Sequence, residues 1–145
     1  MAIFREEFEK HRVPLETSLG VIKRHLVTMR GSAKQLVPLA TLTGNFAQVR
    51  ADVWRAASEI LSEASDLDDR SLVKMKWLPP LSTSAANLEQ AWEVVDDPSE
   101  ADQTRRQAAQ TCIAVLESFS ATTRSNIESC VQAALVKRGW AFGKR

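Results

Sequence analysis

Two histidines, two cysteines, three closely spaced aspartates and a basic–aromatic alternation near the C-terminus are the side chains here most able to do chemistry. His11 and His25 have Pro14 between them and do not form a His-x3-His pair on one helix. Asp66, Asp68 and Asp69 suggest the start of a calcium loop. Counted from Asp66, Ser71 stands where that loop needs a glycine, and Trp77 stands where it needs its bidentate acid. These acids therefore read as a solvated loop, and no metal or other cofactor is expected. Cys112 and Cys130 fall on one face of a single helical segment, about 27 Å apart at 1.5 Å per residue. A disulfide needs Cα atoms within roughly 7 Å, so the two are expected buried and reduced.

Enzyme signatures are missing at the level of local pattern. The chain has no glycine-rich phosphate loop, no Gly-x-Gly-x-x-Gly turn and no Gly-x-Ser-x-Gly elbow. Carboxylate pairs such as Glu6-Glu7 and Asp96-Asp97 are adjacent, which on a helix points them about 100° apart. General acid–base catalysis needs groups that converge on one substrate. A non-enzymatic role is expected.

Binding chemistry is better represented. Lys23, Arg30 and Lys34 recur at steps of seven and four, with Arg24 beside them, opposite an apolar stripe. Arg106, Arg124 and Arg138 fall within about 40° of one direction when wound as a helix, and Glu117 and Glu128 share that face. Cations spaced this way suit the phosphates of RNA or DNA without base reading. At the end of the chain, Lys137, Arg138, Trp140, Phe142, Lys144 and Arg145 interleave cations with rings. Such a tail either stacks on single-stranded nucleic acid or folds back as a hydrophobic latch. Trp77, followed by Pro79-Pro80, is either a partner-docking side chain or part of the core.

The elements that must carry these residues are helical. Leu15, Leu19, Ile22, Leu26 and Met29 form one stripe at helical spacing, ended by Gly31-Ser32. Pro38 predicts a kink or restart. Phe46, Val49, Val53, Ile60 and Ala64 make a second stripe, beginning after Thr43-Gly44-Asn45. The acidic stretch Ser65–Asp69 reads as a loop leading into a short helical piece closed by Pro79-Pro80. Leu81, Ala85, Leu88, Trp92 and Val95 form a third stripe, with Ser82 or Ser84 as a cap. Asp97 and Pro98 then open a last helix running to Arg138, with Gly139 as its C-cap. Cys112, Leu116, Phe119, Thr123, Ile127, Cys130 and Ala134 line one face of it. The expectation is an all-α, compact bundle of about five to six helices with a long C-terminal helix, forming a single domain over 1–145.

Charge is sorted along this frame. Residues 1–50 carry eight Lys/Arg against four Asp/Glu, residues 51–103 carry four against twelve, and residues 104–145 carry seven against two. The formal net charge of +1 thus conceals two basic ends around an acidic middle. No apolar run reaches the 18 or so residues of a membrane span, and acids near Met1 replace the basic-then-apolar pattern of a secretory signal. A cytoplasmic protein is expected.

These features point to an accessory subunit of a larger nucleoprotein assembly, with basic faces on RNA or DNA backbone and an acidic middle on neighbouring protein subunits. The acidic and basic regions also favour head-to-tail self-association. In size and general character the chain resembles the small helical subunits of CRISPR effector complexes. That resemblance is architectural, through features such as the Lys23/Arg30/Lys34 face, and transfers no binding residue. The alternative is a protein-binding adaptor or inhibitor, of the immunity-protein or phage-antagonist kind. It would use the acidic segment 59–69, including Asp66, Asp68 and Asp69, to mask a basic surface.

Overall fold

A computed structural model of the chain describes the backbone of residues 2–143 and the side chains of residues 6–132. The described residues form four α-helices, α1 (Ala2–Ser32), α2 (Leu39–Asp69), α3 (Leu78–Asp96) and α4 (Asp102–Gly143). Among the described residues there is no strand. The helices form two antiparallel hairpins, α1–α2 and α3–α4, which pack through α1 on α4 and α2 on α3. Cross-links fix the directions. Glu7 pairs with Arg70, His11 with Glu63 and His25 with Asp52 along the first hairpin. The Arg105 Nε donates to the Val95 carbonyl at 2.9 Å across the second.

Over the described residues the predicted apolar stripes face one core, while the side chain of Ala134, predicted for the α4 stripe, lies outside the described residues. Leu15, Ile22 and Met29 of α1 meet Leu42, Phe46 and Ile60 of α2, Leu81 and Trp92 of α3, and Cys112 and Leu116 of α4, all with no solvent exposure. Phe46 and Trp92 stack in a tilted pair at 5.5 Å, and the Arg50 guanidinium lies 6.0 Å from the Trp92 ring centre. Arg50 also pairs with Asp96, which ties α2 to the end of α3.

Among the described residues the helix count is four rather than five to six, because several expected breaks do not occur. Residues 33–38 form a turn, Pro38 precedes the first residue of α2, and Thr43-Gly44-Asn45 lies inside that helix. Gly44 faces open space, and Asn45 donates to the Ser32 hydroxyl at 2.8 Å, so neither residue interrupts the helix. The acidic stretch Ser65–Asp69 is the last turn of α2, not a loop. That helix ends without glycine. Ser71 takes the left-handed conformation, φ 54°, while the N–H of Leu72 bonds the Leu67 carbonyl and that of Ser71 bonds the Asp68 carbonyl. This is a Schellman end with serine where glycine is usual.

Pro79 and Pro80 begin α3 instead of closing a shorter helix, since a first turn has no use for their missing N–H groups. Asp97 closes α3 rather than opening α4. Its carboxylate accepts from the Ser99 N–H at 2.9 Å and hydroxyl at 2.7 Å, which holds its pKa below the usual value. The last helix begins at Asp102, runs unbroken through the Ser118–Ser125 stretch and passes Gly139. At 42 residues it is about 63 Å long. No described helix is long and apolar enough to cross a membrane.

Cys112 and Cys130 are free and buried on the core face of α4. Burial pushes the Cys112 thiol up to about 12, and the nearby Asp96 adds to it; burial alone pushes Cys130 up to about 11. Neither is expected to react with a thiol-specific chromogenic disulfide at neutral pH, whereas both should react after denaturation. An acid whose folded pKa is raised stabilises the fold below its unfolded pKa, here 9.0. That contribution should fall as pH climbs from about 9, and an alkaline melt series checks it.

Candidate functional site

The packing of α1 on α4 brings together cations from opposite ends of the sequence. An open groove of about 200 Å³ runs between the two helices. Lys23 and Arg30 border it from α1, and Glu117, Ser120 and Arg124 border it from α4, above an apolar strip of Leu19, Leu26 and Ala121. Spacing explains the convergence. Lys23 and Arg30 are two turns apart on one face of α1, while Glu117, Ser120 and Arg124 follow at steps of three and four on α4. Antiparallel packing then sets those faces side by side, held at one end by Gln110 Nε2 donating to the Ala33 carbonyl at 3.0 Å.

Three cations and one carboxylate give the groove a positive balance. Arg30 donates from Nε and Nη2 to the same oxygen of Glu117, at 3.0 and 2.7 Å. Both side chains are about half exposed, 49% and 46%, so the pair contributes little to stability, at most about 1 kcal/mol. Its consequence is geometric: Arg30 is held along the groove. Lys23 and Arg124 are exposed and have no ion-pair partner among the described residues.

The groove also holds a polar atom that local pattern did not flag. Ser120 is only 8% exposed, and its buried hydroxyl has no hydrogen-bond partner among the described residues. Thr123, one turn away, satisfies its own hydroxyl on the Phe119 carbonyl at 2.8 Å. An unpaired buried hydroxyl costs about 1–3 kcal/mol. Ser120→Ala is therefore expected to raise the melting temperature by a few degrees, measurable by circular dichroism. In sequence Ser120 was one of several serines and threonines in 118–125. Only the approach of α1 sets it apart.

The other basic residues singled out by the sequence are dispersed. Arg24 does not extend the Lys23 face but lies on a second groove, between α1 and α2, of about 330 Å³. There Asp52 and Glu59 balance Arg24 and Arg55. Lys34 is exposed in the turn after α1, one residue from the Ala33–Gln110 link. Arg106 is partly buried, one helical turn before Gln110, and its buried Nη1 has no hydrogen-bond partner among the described residues. The side chains of Lys137, Arg138, Trp140, Phe142, Lys144 and Arg145 lie outside the described residues.

The acidic segment is largely absorbed by the fold. Asp68 is buried, and its two carboxylate oxygens accept from the backbone N–H groups of Trp77 at 2.8 Å and Leu78 at 2.9 Å. Trp77 sits at the N-cap of α3 and has no capping side chain, so Asp68 caps that helix from a distance. Asp68 is thus an internal structural group and not a surface for a partner. Asp66 pairs with Arg70 at 3.2 Å and lies 3.4 Å from His11 Nε2, while Asp69 is exposed. Trp77 is 4% exposed and meets Phe8 edge-on at 6.4 Å, which places it in the core rather than on a docking surface.

The two ring nitrogens of His11 face different carboxylates, Glu63 and Asp66. Those acids lie on separate edges of the ring and do not converge on one point. Among the described residues, no group of three or more His, Cys, Asp or Glu side chains is placed to hold a metal ion. The chain matches no protein-family model, and comparison with curated proteins and with solved structures finds no similar chain.

Proposed function

We propose that this chain is a non-enzymatic helical accessory subunit of a nucleoprotein assembly, with its α1–α4 face lying along a nucleic-acid backbone. One observation carries the reading: Lys23, Arg30 and Arg124, from the two basic ends of the sequence, line a single groove. Cations held on rigid helices can follow phosphates without reading bases, the mode that dominates sequence-independent binding. The acidic middle leaves exposed carboxylates such as Glu59 and Asp69 for contact with neighbouring subunits. The adaptor reading has less to draw on, since Asp68 and Asp66 already have partners inside the chain.

The test is a titration of nuclease-treated full-length protein with single- and double-stranded RNA and DNA at several salt concentrations. Affinity should fall log-linearly with salt, with a slope of about −0.7 per phosphate contact on single strands and about −0.9 on duplex. No binding at low salt to any of the four would overturn the proposal.

A further inference from the structure

Among the described residues Glu117 is the one carboxylate lining a groove whose other charged residues are cations, and it already occupies Arg30. Its oxygen accepts two guanidinium N–H groups at 3.0 and 2.7 Å, the arrangement a phosphate oxygen would adopt at the same side chain. Resting on the backbone-binding reading above, we infer that Glu117 is a resident phosphate surrogate, which makes the groove select linked phosphates over single anions.

Glu117 is tethered beside Arg30, so a free anion must displace a carboxylate whose effective concentration is about millimolar or higher. A lone phosphate gains Arg30 only by leaving Glu117 unpaired and facing it across the groove. A polyphosphate backbone is held first by Lys23 and Arg124, which have no ion-pair partner among the described residues. That anchoring raises the local concentration of the next phosphate at Arg30, and the exchange becomes favourable. Beneath the exchange lies the Ser120 hydroxyl, a buried donor with no acceptor, which a phosphate oxygen in the groove can satisfy after a rotation about χ1. Arg30 therefore has an acceptor in both states, and the positive groove is screened when empty.

The experiment compares wild type, Glu117→Gln and the double variant Arg30→Gln/Glu117→Gln, each as the full chain. The probes are a fluorescein-labelled thymidine oligonucleotide, with inorganic phosphate and tripolyphosphate as competitors. Glu117→Gln should bind the oligonucleotide about tenfold more tightly at low salt, with the salt slope nearly unchanged because Arg30 reaches a phosphate in both proteins. Inorganic phosphate should compete poorly on wild type and measurably on Glu117→Gln, while tripolyphosphate competes on both. The double variant, which lacks the Arg30 contact, should show a slope flatter by about 0.7 than either. An unchanged or weaker affinity of Glu117→Gln for the oligonucleotide overturns the surrogate role and leaves backbone binding standing. Failure of both wild type and Glu117→Gln to bind the oligonucleotide overturns the two together.

Discussion

Replacing Asp68 with alanine is expected to lower the unfolding free energy by about 3 kcal/mol, seen as a loss of roughly 10 °C in melting temperature. The carboxylate is 6% exposed and accepts two backbone N–H groups at the start of α3. Removing it leaves the buried Trp77 N–H and the part-buried Leu78 N–H without acceptors in a place water reaches poorly. Charged hydrogen bonds of this kind contribute about 1.5–3 kcal/mol each, and loss of an N-cap alone costs about 1. Asp68→Asn keeps one oxygen and should fall between the two. Asp69→Ala, exposed and adjacent, should change stability by no more than about 0.5 kcal/mol. Urea unfolding with circular dichroism separates the three. A charge-reversal test of the adaptor reading must therefore avoid Asp68, since its loss of binding would report unfolding; Glu59 and Asp69 are the acids to reverse.

The second large effect is on binding. Reversing Lys23, Arg30 and Arg124 to glutamate should weaken nucleic-acid binding by at least about a hundredfold at low salt and flatten the salt slope by about 2 on single strands. Fold stability should change little, because Lys23 and Arg124 are exposed and the Arg30–Glu117 pair is half exposed. Arg24→Glu is the internal control. It has the same charge change one residue from Lys23 but sits on the charge-balanced α1–α2 groove, so binding should change by less than about threefold. If Arg24→Glu is as damaging as the triple reversal, long-range field rather than the α1–α4 groove governs binding.

Helix identity and core membership were legible because apolar periodicity is a property of each segment alone. The stripes through Leu15–Met29, Phe46–Ala64 and Leu81–Val95 are the faces that pack. Boundaries were less legible because residues that commonly break helices sit where they do no harm. Gly44 faces solvent, Pro79 and Pro80 occupy a first turn, and Ser71 supplies the left-handed residue expected of a glycine. Asp68 read as a loop acid, since its partners Trp77 and Leu78 lie across a bend in the chain. The groove was half legible. Periodicity placed Lys23 with Arg30, and Glu117 with Arg124, each on its own helix. Only tertiary packing could join those faces, send Arg24 elsewhere and isolate the Ser120 hydroxyl.

Arg30 and Glu117 meet across 87 residues of sequence, so the groove lies on the seam where the first helix closes against the last. Each hairpin can assemble from near neighbours, a topology that favours rapid folding, whereas the seam forms only when both hairpins have docked. A ligand bound there acts as a clasp on the whole bundle. Its binding energy adds to global stability by RT ln(1 + [L]/Kd), about 2.7 kcal/mol at a hundredfold excess over Kd. Amides far from the groove, on α2 and α3, should then exchange more slowly in the loaded protein. Reading occupancy from the slowest-exchanging core amides would need no label near the site.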